Sequence, residues 1–216
     1  MSEPGNARSR RTRAALLDAT RALVEREGVS SATMGAVADR AGVTRRSVYL
    51  HFKTRSELIG ALFDHVAETE GLQQSLDQVW AAPTAADALA RWGAHLARYH
   101  SRVLPVDRAF AQTAPADADA AAHRRRVRAA NLASCTRLAR RLSDEGVLAD
   151  DWNVGAAADM LYALTNSDLV EALLVDRRWT QRLFSERIAA LLQATFIGAD
   201  DGVTSSNPRT AIPGGR

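Results

Sequence analysis

Cysteine occurs once in the 216 residues, at Cys135, so the chain can build neither an internal disulfide nor a cysteine-rich zinc cluster. That lone thiol is expected to pack as a small apolar side chain on a helix rather than to act as a redox sensor. Lysine also occurs once, at Lys53, and arginine supplies the rest of the positive charge. Aromatic residues make up only 6% of the chain. Nowhere do enough apolar residues run together to cross a membrane, and the opening MSEPGNARSRR has no apolar signal-peptide core. A soluble, cytoplasmic protein without membrane contact is therefore expected. Catalytic signatures are missing too. His51, His65, His95, His100 and His123 form no HExxH or other metal-spaced set. There is no phosphate-cradling glycine loop and no GxSxG elbow. These absences argue against an enzyme and imply no metal or cofactor. A helical small-molecule-binding protein or enzyme without DNA binding is the alternative to weigh.

What is present is unevenly distributed. The content is 46% hydrophobic, enough for one sizeable core and a small satellite, and the net charge is +3. Residues 1–55 hold eleven basic and five acidic side chains, a balance of +6, which leaves −3 for the remainder. A basic segment on a neutral or acidic body is the footprint of nucleic-acid binding.

The stretch from Thr33 to Leu58, TMGAVADRAGVTRRSVYLHFKTRSEL, gives that charge a shape. Thr33 suits a helix N-cap, and Val37, Ala38 and Ala41 give the following helix a small apolar face. Gly42 stands where the helix must end in a left-handed conformation. Thr44 caps a second helix, in which Val48 and Phe52 face the core while Arg45 and Tyr49 face outward. Thr54-Arg55-Ser56-Glu57 reads as a capping box for a third helix carrying Leu58, Leu62 and Val66. A short helix with Arg45, Arg46 and Ser47 at its exposed N-terminal end has the chemistry of a DNA recognition helix.

The pattern Ala38-x-x-Ala41-Gly42-Val43-Thr44-x-x-x-Val48-Tyr49-x-x-Phe52-x-Thr54-Arg55-x-Glu57-Leu58 resembles the DNA-binding signature of the tetracycline-repressor-like (TetR) family, over Arg13 to about Leu62. Position 46 is often small in that family and is Arg here; the usual Lys after the cap is Arg55. Both departures keep or add positive charge. The resemblance implies a homodimeric, ligand-responsive regulator that represses from a palindromic DNA operator and is released by a small apolar molecule. It also implies base contacts from Arg45 and Arg46. Further DNA contacts fall to Thr44 and Ser47, and phosphate contacts to Thr33, Tyr49, His51, Lys53 and Arg55.

The remaining pattern is helical, so an all-α fold is expected, a three-helix DNA-binding domain followed by a larger helical body. Residues 1–8 read as a mobile basic arm, 9–55 as the helix-turn-helix domain, 56–198 as a ligand-binding and dimerisation domain, and 199–216 as a disordered tail. The first helix should run from about Arg10 to Glu27. The helix opened by Thr54 should reach Trp80, Thr84 should open one ending near Ser101, and Pro105 and Pro115 should bracket a short one. A long helix should span Ala116 to Glu145 with Val127, Leu138 and Leu142 inward; its His123-Arg124-Arg125-Arg126 run reads as a solvated face. Asp150 or Asp151 should cap a helix to Asp176, and Thr180 should open the last. By the resemblance, Trp92, Leu96, Tyr99, Phe110, Met160 and Tyr162 surround a cavity for a small, apolar effector. Leu164, Leu173, Ile188 and Leu191 lie on the wide apolar faces assigned to the dimer interface.

Overall fold

A computed structural model describes residues 4–198; the expected tail at 199–216 and residues 1–3 of the expected arm lie outside it. The chain is all-α, and among the described residues the one extended pairing is an isolated bridge between Leu148 and Ile197. Helices α1 (Pro4–Glu27), α2 (Met34–Ala41), α3 (Arg45–His51) and α4 (Arg55–Thr69) form the head. The body contains α5 (Leu72–Trp80), α6 (Ala85–His95), α7 (Ser101–Thr113), α8 (Ala118–Asp144), α9 (Val154–Leu164), α10 (Ser167–Glu171) and α11 (Gln181–Phe196).

Side-chain caps set most of these boundaries. Thr33, Thr44, Thr54, Thr84, Asp117, Asn153, Asn166 and Thr180 each accept a backbone N–H at the start of a helix. Each such bond satisfies one of the donors that a helix start leaves without a partner. The cap of α9 is Asn153, not Asp150 or Asp151. That helix also stops earlier than expected. Thr165 turns its hydroxyl back onto the Leu161 carbonyl, and Asn166 caps α10, whose last residues pass into a π turn at Ala172–Asp176.

Three other boundaries differ from expectation. Helix α1 already begins at Pro4 and takes in residues 4–8, because proline is well suited to a first helical turn. The helix opened by Thr54 does not reach Trp80, since Gly71 adopts φ 70° and α5 starts afresh after it. Pro105 brackets nothing. Helices α6 and α7 are joined by a π-wound turn, Leu96–His100, and Pro105 lies inside α7. The wide turn sits one turn ahead of the proline ring, which crowds the preceding carbonyls of a regular helix.

Two hydrophobic cores follow. Leu16, Val24, Val37, Val48, Phe52, Leu58 and Leu62 fill the head, and Val103, Val106, Phe110 and Ala120 of α7 and α8 complete the same cluster. The second core joins α6, α8, α9 and α11 through Leu89, Trp92, Leu96, Leu138, Leu142, Leu161, Phe184 and Phe196. Leu138 and Leu142 face inward as expected, but Val127 is 39% exposed. No described helix is long and apolar enough to cross a membrane.

Helix α11 lies close on α6 because Gly93 has no side chain. A Cβ there would stand 3.1 Å from the Ser185 carbonyl oxygen and 3.4 Å from the Ala189 nitrogen, both backbone atoms. Gly93→Ala must therefore push the helices apart, at a cost of about 1–3 kcal/mol. Thermal unfolding followed by circular dichroism should show a fall of about 2–4 °C per kcal/mol for a chain of this size. An unchanged midpoint would show that the helices can part freely.

Candidate nucleic-acid interface and ligand cavity

The head builds its outward face from local rules. Gly42 ends α2 at φ 67°. Two residues later the Thr44 hydroxyl accepts the Ser47 N–H at 3.2 Å and starts α3. Val48 and Phe52 are fully buried, which turns the opposite side of α3 to solvent. Arg45 and Arg46 are exposed there, with Tyr49 at 44% exposure. The Arg45 guanidinium lies over the Tyr49 ring, 5.8 Å from its centre, and reaches its hydroxyl at 3.5 Å. Leu50, absent from the sequence-derived set, is 78% exposed. The signal was available: it follows Arg46 by four residues and so shares its face.

The other expected DNA contacts divide. Thr33 and Thr44 are exposed and spend their hydroxyl oxygens as caps, leaving the O–H free to donate. Ser47 and His51 are half-buried, and Lys53 is exposed. The Lys53 backbone N–H donates to Glu57 at 2.7 Å, so the glutamate of the capping box reaches one residue before the Thr54 cap. Arg55 is placed otherwise than a phosphate contact requires. Its guanidinium donates to the Val29 and Ala32 carbonyls at 2.8 and 3.2 Å, and to Asp117 and Asp119 at 2.9 Å each. It is a fork joining the head to the first turn of α8.

A second tie joins the same bodies. Glu70, at the end of α4, receives Arg21 of α1 at 2.6 Å and Arg102 of α7 at 3.0 Å. Between the two ties, Phe63 of α4 meets Phe110 edge-on at 4.6 Å and stacks on His123. Burial, with Arg126 and Arg124 nearby, lowers the His123 pKa to about 3.

Above this seam lies a cavity of about 510 Å³. Trp92, Tyr99 and Tyr162 line it, as the sequence proposed. The other three candidates do not. Leu96 is fully buried in the body core, Phe110 belongs to the head core, and Met160 is 40% exposed on the outer side of α9. The lining is also more polar than expected, since Asp107, Asn131, Ser134, Asn166 and Ser167 contribute to it. His95 and His100 join them, and burial depresses their pKa values to about 3 and about 4. The His95 ring shares a 2.9 Å hydrogen bond with Ser75, whereas Trp92 Nε1 and His100 Nδ1 have no partner. Val66, Val103 and Val106 touch the cavity and also belong to the head core.

The four residues assigned to dimerisation separate as well. Ile188 is spent internally, buried against Gly93 of α6. Leu164 and Leu173 are partly buried against the body core, and Leu191 is 43% exposed. Among the described residues no group of His, Cys, Asp and Glu could hold a metal ion.

Comparison with known proteins falls on the same two regions. A family model described as bacterial regulatory proteins, tetR family, matches residues 16–62. The HTH-type transcriptional regulator TtgR of Pseudomonas putida is 40% identical over 58 residues, 27% of this chain. That stretch spans only 28% of the relative's length. Two solved structures share the whole fold at lower identity. NalD of Pseudomonas aeruginosa, a repressor of a multidrug efflux pump, has a TM-score of 0.67 at 20% identity, covering 88% of this chain and 98% of its own. SmeT in complex with triclosan has a TM-score of 0.68 at 21% identity, with 94% and 99% covered.

The Arg55 fork makes its own prediction. Arg55→Ala leaves two carboxylates and two carbonyls without their donor and should destabilise the fold by about 1–3 kcal/mol. Arg55→Lys should recover only part, because an ammonium cannot present a planar fork. The Asp117 carboxyl is shifted down: burial opposes the shift, but N–H donors from Ala120 and Asp119 and the Arg55 charge outweigh it. A carboxyl with a depressed folded pKa contributes stability above its unfolded value, near 4, and loses it as pH falls through the folded value. Urea unfolding should thus show a wild-type advantage over Arg55→Ala at neutral pH that shrinks toward pH about 3. A pH-independent difference would assign the effect to packing.

Proposed function

The chain belongs to the TetR family of bacterial regulatory proteins, and from that premise we propose that it is a dimeric, ligand-responsive repressor of transcription. The observation that carries the reading is the outward face of α3. Arg45, Arg46, Tyr49 and Leu50 stand exposed on a helix whose inner side is fully spent on the core. Inserted in a major groove, the two guanidinium groups grip guanine O6 and N7, and Leu50 offers an apolar surface to a thymine methyl. Thr33, Thr44, Tyr49 and Lys53 hold flanking phosphates, with Ser47 and His51 beside them. Arg55 drops out of that set because its donors are occupied within the protein.

Residues 9–55 act as the reading head and 56–198 as the sensing and pairing body. Two copies pair through the outer sides of α9 and α11, where Met160 and Leu191 are exposed and Leu164 and Leu173 lie at the margin. A two-fold pair reads a palindrome whose half-sites match the spacing of its heads. The effector occupies the cavity beside Trp92, Tyr99 and Tyr162 and is mainly apolar, in keeping with those faces. SmeT, a structural neighbour, is a complex with triclosan, a precedent for a small molecule in this fold. The regulator works in the cytoplasm, where its DNA is.

Sequencing fragments selected by the purified protein from random DNA gives the operator. On that operator Arg45→Ala should lose about 1–3 kcal/mol and relax preference at one base position. Lys53→Ala should instead weaken binding evenly on specific and random DNA and lower the salt slope by about one. Equal losses from Arg45→Ala on both DNAs would remove it from base reading.

Pairing is tested separately. Light scattering at micromolar protein should report a dimer without DNA, and Leu191→Arg should give a folded monomer by circular dichroism. A wild-type monomer would sink the paired arrangement.

A further inference from the structure

Resting on the reading of the cavity as an effector site, we infer that its effector is an organic cation, an apolar body bearing an ammonium group that Asp107 receives. Asp107 lies on α7 between Leu104 and Ala111, both of which line the cavity. One hydrogen bond reaches its carboxylate, from the Ser167 hydroxyl at 3.3 Å. No described cation lies within ion-pair distance of it.

The other charges around the cavity are already provided for. Arg108 pairs with Glu171. Asp64, Asp168, Arg126 and Arg128 are exposed and keep their water. Arg124 is half-buried on α8 and acts on Asp107 from beyond contact. Burial pushes the Asp107 carboxyl up to about 6, which is the signature of a charge without adequate compensation. The three histidines of the lining cannot compensate it, because burial keeps them neutral.

Ligand chemistry follows from what entry does to this carboxylate. An occupant displaces water from Asp107. A neutral one leaves the charge drier and still unpaired, and an anionic one adds repulsion. A cation replaces the lost water with charge and, if it carries N–H, with a hydrogen bond. Trp92, Tyr99 and Tyr162 in the same lining carry ring quadrupoles that attract cations.

The test uses one ring with three charges: para-hydroxyphenyl-trimethylammonium, its neutral isostere para-tert-butylphenol, and para-hydroxybenzenesulfonate. Calorimetric titration of the full-length wild type should show the ammonium binding at least about tenfold more tightly than the tert-butyl compound, with the sulfonate weakest. Asp107→Asn should reduce that preference to within about twofold while leaving the neutral phenol's affinity intact. Arg124→Gln, which removes the competing cation, should strengthen ammonium binding by about threefold or more. The second variant keeps the question open to experiment if Asp107→Asn fails to fold. Equal binding of ammonium and neutral phenol to the wild type, or a preference that survives Asp107→Asn, overturns the charge assignment and leaves the effector cavity standing. Binding of none of the three overturns the cavity reading itself along with it.

Discussion

The head of this protein does not close its own core. The buried positions of α1 to α4 are completed by Val103, Val106, Ala109 and Phe110 of α7 and by Ala120 at the start of α8. A head of this size buries only a modest apolar area by itself. Its neighbours in the body supply the missing wall, and the Arg55 fork fixes where that wall stands. Whatever α3 contacts depends on this shared seam, because the seam sets the direction in which α3 points.

Legibility in the sequence tracked the range of the interaction. Thr33, Gly42, Thr44, Thr54 and Thr180 act within four residues of themselves, and their positions alone place α2, α3, α4 and α11. The inward pair Val48 and Phe52 follows from the same short-range periodicity. The internal partners of Arg55 were hidden for the opposite reason. Its partners are 23 to 64 residues away, so nothing beside it in the sequence marks it as internally committed. The body was harder still. Gly71 and the turn at Leu96–His100 each rotate the helix that follows, and every face assigned downstream inherits the error. Leu96, at the start of the π turn, and Phe110, beyond it, point into the cores, and Met160 takes the outer face of α9, whereas Trp92, Tyr99 and Tyr162 line the cavity.

The π turn has a further structural effect. It places Tyr99 and His100 in the cavity lining together with Trp92 and His95 from the preceding turns. The four rings form a cluster in which His95 stacks on Tyr99 at 5.5 Å, lies tilted against Trp92 at 5.0 Å and meets His100 edge-on at 5.7 Å. A regular helix would already align Trp92, His95 and Tyr99, spaced i, i+3 and i+7, and would turn His100 aside; the wider winding brings His100 onto the same face. The unmet nitrogens of Trp92 and His100 are the polar cost of that arrangement.

A path from the cavity to the head can be traced through the same geometry. Among the described residues, the helices that both line the cavity and enter the head core are α4, α7 and α8. Val66, Val103 and Val106 do both with the same side chains. An occupant that moves them moves the wall against which α1 to α3 are packed, since a close-packed core transmits displacement rather than absorbing it. The fork resists such movement: shifting α8 against α4 must carry Asp117 and Asp119 with Arg55 or give up charged hydrogen bonds. The free energy for that shift can come only from a difference in ligand affinity between the two positions of the head. Moving the equilibrium from mostly DNA-competent to mostly incompetent needs a preference of about ten-thousandfold. Contacts that merely fill an apolar cavity are similar in both positions. A ligand charge held by Asp107, next to Val106 on α7, would be a contact whose strength changes when α7 moves, and that is the kind of contact a switch requires.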